Sequence, residues 1–195
     1  MTTDLANLKA ALREEVRARL MRLSRETCVS AGAKICERFW ERDTWKNAKV
    51  VLLFAPLAHE PDVWPLAELG LSAGKRLGLP RFVPGRAGYG AAQLTDLARD
   101  IVVGKFQIRE PAVACPELAL AGFDLVLVPG VAFDPRGRRL GKGRGYYDQM
   151  LAEVHGTKCG VAFDEQFVNE VPVEAHDICM DCILTPTRWV EVGKR

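Results

Sequence analysis

The sequence predicts an α/β protein, a single three-layer α/β/α domain on a mainly parallel sheet, from two patterns and a length. Short β-branched and apolar runs at residues 49–55 (KVVLLFA) and 157–163 (TKCGVAF) alternate with stretches of helical periodicity. Residues 125–128 (LVLV) form an unbroken apolar run, as expected of a strand buried on both faces. The 195 residues fit one domain of 1–195 with a sizeable core.

Taken in order, Leu5, Leu8, Leu12, Val16, Leu20 and Leu23 recur in steps of three and four, which predicts an amphipathic first helix. Lys9, Arg13 and Arg17 form a basic stripe beside that seam, by itself an ordinary solvated face. Ser24 suits the N-cap of a second helix ending near Asp43, with Val29, Ala33, Cys36, Phe39 and Trp40 on its buried side. The strand at 49–55 stops at Pro56, and 57–65 is a loop at its end, where open parallel sheets bind ligands. Glu60 sits in that loop. A short helix at 64–71, a strand at 76–83 and a loop at 85–90 follow.

After the strand at 125–128, Pro129 and Gly130 break the chain, and a polar turn occupies 135–138. Then Gly141, Gly143 and Gly145 alternate with Lys142 and Arg144 and lead into Tyr146, Tyr147 and Asp148. Glycine lets backbone N–H groups converge on one anion, and the two cations add full charges. Tyr147, Met150, Leu151 and Val154 have helical spacing, so the loop runs into a helix whose N-terminus also favours phosphate. Neither G-x-x-x-x-G-K-[ST] nor G-x-G-x-x-G occurs, and the spacing alone also suits a flexible basic turn. A final strand is expected at 182–185.

Composition excludes several classes. With 48% hydrophobic residues and a net charge of +2, nothing argues for nucleic acid or an anionic membrane as partner. The N-terminus lacks a signal-peptide apolar region, and no apolar run approaches the roughly 18 residues of a membrane span. A cytoplasmic monomer is the default expectation. The six scattered cysteines read as reduced thiols, and Cys179-x-x-Cys182 with His176 lacks a fourth metal ligand at the usual spacing.

The run PGVAFDPRGRRLGKGRGYYD closely resembles the hallmark of the 5-formyltetrahydrofolate cyclo-ligase family. The resemblance extends from Lys9 to Thr185 and implies a Rossmann-like fold of the cyclo-ligase type. It implies an enzyme that uses ATP and Mg²⁺ to convert 5-formyltetrahydrofolate, its small-molecule folate substrate, to 5,10-methenyltetrahydrofolate. By the same resemblance, Lys9 and Arg13 contact ATP, together with Arg139, Leu140, Gly141, Lys142, Gly143, Arg144, Gly145, Tyr146 and Tyr147. Lys142, Arg144 and Tyr147 are the catalytic candidates, Tyr147 as a wall because an ordinary phenol is a poor base at neutral pH. Ala55, Glu60, Phe106 and Tyr146 fall to the folate, and Asp148 and Asp177 to the metal. Two departures stand out: Val63 replaces a common threonine, and Phe106 stands where some members have tryptophan.

Each of these residues also has a plain structural role open to it. Glu60 is then a solubilising charge, Phe106 core, Asp148 a helix-dipole partner and Asp177 a turn cap. Two rival functions share the pattern. One is an isomerase or transferase for a sugar phosphate or coenzyme A, working without ATP; the other is a non-catalytic nucleotide- or RNA-binding relative.

Overall fold

The structure is a computed structural model that describes residues 2–83, 88–104 and 108–193. The chain opens with α1 (Thr2–Leu20), α2 (Arg25–Trp40) and a short α3 (Asp43–Asn47). Next come β1 (Val50–Leu52), α4 (Trp64–Ser72), β2 (Arg76–Phe82), β3 (Tyr89–Leu94) and α5 (Leu97–Asp100). A small hairpin, β4 (Ile101–Val103) with β5 (Arg109–Pro111), precedes β6 (Glu117–Leu118) and β7 (Leu125–Val128). The last part holds β8 (Ala132–Phe133), β9 (Arg139–Leu140), α6 (Tyr146–Ala152), β10 (Thr157–Val161), β11 (Cys182–Leu184) and β12 (Trp189–Glu191).

Eight strands form one sheet in the order β12-β11-β10-β7-β1-β2-β3-β6. The run from β11 to β2 is parallel, and antiparallel strands finish both edges. From β1 the chain builds outward through β2 and β3; from β7 it builds the opposite way through β10 and β11. The order therefore reverses between β1 and β7, and ligands of open α/β sheets bind beyond the strand ends at such a reversal.

Alternation along the strands separates the two core layers. Leu125 and Leu127 of β7 face a cluster with Ile35, Phe39 and Trp45, while Val126 and Val128 face Met150, Leu151 and Phe133. All four are fully buried, which accounts for the absence of polar residues from that strand. A third cluster lies outside these layers, where Val16 and Leu20 of α1 pack on Val131, Leu140, Phe163 and Val171.

Several elements depart from the sequence reading. Ser24 caps α2 as expected, accepting the Thr27 amide at 3.0 Å, but the buried stripe is Gly32, Ile35, Cys36 and Phe39. Val29, Ala33 and Trp40 are exposed because Gly32 is the position pressed against the Asp62 backbone. The apolar seam of α1 is buried only in its C-terminal half. Leu8 is exposed, and the buried position of the first half is Lys9. Tyr89, expected in a loop, begins β3. The seven residues of α6 end before Val154. No helix among the described residues is long and apolar enough to cross a membrane.

Candidate active site

The loops that follow β1 and β7 leave the sheet side by side at the reversal, one carrying Glu60 and the other the glycine run. Asp134 explains how the second loop turns. Its buried carboxylate accepts the Arg136 and Arg138 amides on Oδ1, at 2.8 and 3.1 Å, and the Val171 amide on Oδ2 at 2.9 Å. Gln166, also buried, donates to the Gly130 carbonyl at 2.7 Å and accepts the Phe163 amide at 2.8 Å. Neither residue was singled out in the sequence, although D-P-R-G is a turn signal that points to Asp134.

Gly143 and Gly145 take positive φ, 98° and 67°, which side chains with a Cβ resist, and Gly145 is the N-cap of α6. The arms of α1 reach this loop. Arg13 Nε donates to the Gly141 carbonyl at 2.9 Å. Lys9 Nζ, one turn earlier, meets Asp177 Oδ2 at 2.7 Å and Glu174 Oε2 at 2.8 Å. On the opposite side Lys142 Nζ lies 2.6 Å from Glu60 Oε1. Glu60 is 8% exposed, and its Oε2 accepts the Leu57 amide at 3.0 Å. Lys142 is 52% exposed, and Arg144 is exposed beside it.

Arg139 is turned inward, 5% exposed. It donates to Asp148 Oδ1 at 2.8 Å and to the Pro129 carbonyl at 3.3 Å, and its guanidinium lies 5.7 Å from the Tyr147 ring centre. Its Nε is buried without a partner among the described residues. Leu140 is core beneath α1, so only its backbone can meet a ligand. Asp148 also accepts the Ile178 amide at 3.3 Å, which brings the segment carrying Asp177 against α6.

Two tyrosines line the start of α6. The Tyr146 ring stands edge-on to Tyr89 at 5.7 Å and 6.3 Å from Phe82, while Tyr147 lies 5.9 Å from Tyr89. Burial, and then the nearby Glu60 charge, push the Tyr147 phenol well above its ordinary range, so it is neither acid nor base at neutral pH. Burial opposes the charged form of Lys9, but its bonds to Asp177 and Glu174 prevail and raise it. Asp177 is the reverse: burial would raise it, and the Lys9 and Glu174 hydrogen bonds lower it.

Thus Lys9, Arg13, Lys142, Arg144, Tyr146, Tyr147, Asp148 and Glu60 surround one loop, with Ala55 half-buried just beyond β1. Phe106 lies outside the described residues. Glu174, His176 and Asp177 bring three possible metal-ligating atoms within 4.8 Å of one another, without a cysteine. All six cysteines are free, and Cys182 is buried beside Cys159 across the β10–β11 pairing.

The model of the 5-formyltetrahydrofolate cyclo-ligase family matches residues 6–186. The chain belongs to that family. The Escherichia coli (strain K12) 5-formyltetrahydrofolate cyclo-ligase is 32% identical over 177 residues, covering 89% of this chain and 97% of that one. The mouse enzyme of the same name is 28% identical over 187 residues, covering 90% and 92%. Among solved structures, the Aquifex aeolicus 5,10-methenyltetrahydrofolate synthetase superposes with a TM-score of 0.86 at 32% identity, covering 96% of this chain and 94% of that one. A Mycoplasma pneumoniae 5,10-methenyltetrahydrofolate synthetase shares the cyclo-ligase fold, with a TM-score of 0.72 at 21% identity and coverage of 91% and 98%. The Rossmann-like, mainly parallel architecture is thus that of known cyclo-ligases.

Proposed function

We propose that this chain closes 5-formyltetrahydrofolate to 5,10-methenyltetrahydrofolate, using ATP and Mg²⁺ and releasing ADP and phosphate. The Lys142–Glu60 contact carries the reading, because it joins a glycine-built, cationic loop to a buried carboxylate. One side is suited to phosphate, the other to the amino-pyrimidine edge of a pterin, which donates parallel hydrogen bonds to a carboxylate.

The residues fit a triphosphate. Two glycines at positive φ leave loop amides free of side-chain cover, and Arg13, Lys142 and Arg144 bring charge to them. Arg139, deeply buried, serves from behind by fixing Asp148 and Tyr147. Lys9 stands one helical turn from Arg13 and is held by acids rather than by solvent. Asp148 and Asp177 offer the carboxylate oxygens that Mg²⁺ prefers, and a bound Mg²⁺ would supply charge neutralisation at the phosphates.

The chemistry asks little of the protein beyond position and charge. A formamide oxygen is a poor leaving group; ATP supplies the phosphoryl group that makes it a good one. The formyl oxygen takes that group as ADP leaves, N10 bonds to the formyl carbon, and the carbon–oxygen bond breaks as phosphate departs, the N10 proton leaving with it. Glu60 and the Tyr146 ring hold the pterin so that the formyl group faces the loop. Tyr147, kept protonated, walls the site against water. No side chain acts as a covalent nucleophile.

Purified protein mixed with ATP, Mg²⁺ and 5-formyltetrahydrofolate is expected to develop the near-ultraviolet band of the methenyl product, and not to do so without ATP. Unchanged folate in the complete mixture refutes the reading.

A further inference from the structure

We propose that the groove between the end of α2 and the turn before β12 is a second ligand site, which takes a phosphorylated polyol. The groove encloses about 500 Å³, enough for a small metabolite, and is lined by Lys34, Glu37, Arg38, Glu41, Arg42 and Pro186. It lies at the sheet edge formed by β12, which β11 and β10 separate from β7, so it is apart from the glycine loop and the Glu60 loop. The inference does not depend on the reading of those loops.

Lys34, Arg38 and Arg42 recur every fourth residue, and Glu37 and Glu41 form a parallel row three residues on from the first two cations. Such rows ordinarily pair along a helix. Here no side-chain hydrogen bond or ion pair joins them among the described residues. The two guanidiniums are instead held by other groups. Arg38 Nη2 donates to the Pro186 carbonyl at 3.3 Å, while its Nε is buried without a partner. The Arg42 guanidinium carbon lies 5.0 Å from the centre of the Trp189 ring, so stacking takes one face and leaves the N–H edge free. Pro186 itself is buried and follows Thr185, whose hydroxyl donates to Asp164 at 2.6 Å, which makes the groove floor rigid. The C-terminal dipole of α2 favours a cation, which accounts for Arg38 but not for three cations left unpaired beside two carboxylates. That donor set calls for an anion and hydroxyl groups in one ligand. A bare anion is repelled by Glu37 and Glu41, and an amine by the three cations. A phosphate monoester accepts guanidinium N–H groups in pairs, and polyol hydroxyls donate to carboxylates without adding charge.

The test is calorimetric titration of the full chain with ribose 5-phosphate, inorganic phosphate and ribose, with tryptophan emission followed in parallel. Wild-type protein is expected to bind ribose 5-phosphate, to bind inorganic phosphate more weakly and not to bind ribose. Arg38→Met and Arg42→Met should each weaken the ester by roughly five- to tenfold, the scale of one charge-assisted contact near the surface. Arg42→Lys keeps the charge without the planar stack and is expected to fall between. The emission change on binding should vanish in Trp189→Phe, whose ring no longer reports on Arg42. Lys142→Ala, altered only in the glycine loop, should bind the ester as wild type does. Methenyl formation without the ester should be unchanged in Arg42→Met. Arg38→Met also loses the bond to Pro186, so if its unfolding midpoint falls, Arg42→Met and Arg42→Lys decide. No binding of ribose 5-phosphate, inorganic phosphate binding as tightly as the ester, or affinity lost in Lys142→Ala and kept in Arg42→Met each overturns the site.

Discussion

Lys142 Nζ lies 2.6 Å from Glu60 Oε1, so an exposed cation of the glycine loop is tied to a buried carboxylate in the loop after the neighbouring strand. The pair spans the point where the strand order reverses, and on the proposed function a pterin at Glu60 would compete with Lys142 for the same oxygen. Folate would then release Lys142 toward phosphate. Replacing Lys142 with Ala is expected to lower turnover by about tenfold or more, the scale of one preorganised charge in a phosphoryl site, with the chain still folded and its unfolding midpoint lowered only modestly, because Lys142 is half exposed and Glu60 keeps the Leu57 amide. Glu60→Gln should instead act mainly on the KM for folate. Wild-type kinetics for Lys142→Ala, read from the methenyl band, would remove Lys142 from the mechanism.

The Lys9–Asp177 pair fixes a pH window. Asp177 is ionised more readily in the folded chain than at its ordinary 3.8, so its contribution is present above that value and lost as pH falls through the lowered folded one. Lys9 is raised above 10.5, so its contribution is present below that value and lost as pH rises through the higher folded one. Lys9→Met leaves a half-buried carboxylate without its cation and is expected to cost about 1–3 kcal/mol at neutral pH. Urea unfolding of both proteins checks this: the difference should be flat through neutrality and shrink below about pH 4. A difference unchanged at pH 2 contradicts the pairing.

Gly143 sits at φ 98° with the Arg13 guanidinium 3.6 Å from where a Cβ would stand. Space is adequate, so the penalty of Gly143→Ala is conformational, about 1–2 kcal/mol, and falls on the loop itself. The expected result is a raised KM for ATP with the KM for folate little changed. Equal changes in both would mean that the loop does not serve the nucleotide selectively.

Asp134 is expected to matter through folding. It is fully buried with three amide donors, and Asp134→Ala leaves those amides unsatisfied. A loss of about 3 kcal/mol follows, measured as a lower denaturation midpoint. Wild-type stability would contradict the role given to its carboxylate.

Much of this was legible in the sequence because the signals were local. The buried β7, the Ser24 cap and the glycine loop each announce themselves in a few consecutive residues. What stayed hidden depends on distant partners. Lys9 looks like part of a solvated stripe until Glu174 and Asp177, more than 160 residues away, are brought to it. Arg139 reads as one more phosphate contact, yet its surroundings fold over it. The buried stripe of α2 lies part of a turn away from its hydrophobic pattern because Gly32, which carries no hydrophobic signal, marks its closest approach to the loop at Asp62. The short β4, β5 and β6 have too few residues for a period-two pattern to show.

The most direct test of the central claim is the fate of the formyl oxygen. With 5-formyltetrahydrofolate carrying ¹⁸O in its formyl group, and with ATP and Mg²⁺ present, the released phosphate is expected to carry the label, one atom per methenyl product formed. Unlabelled phosphate accompanying the product would contradict the account, because the oxygen would then have left without ever taking the phosphoryl group.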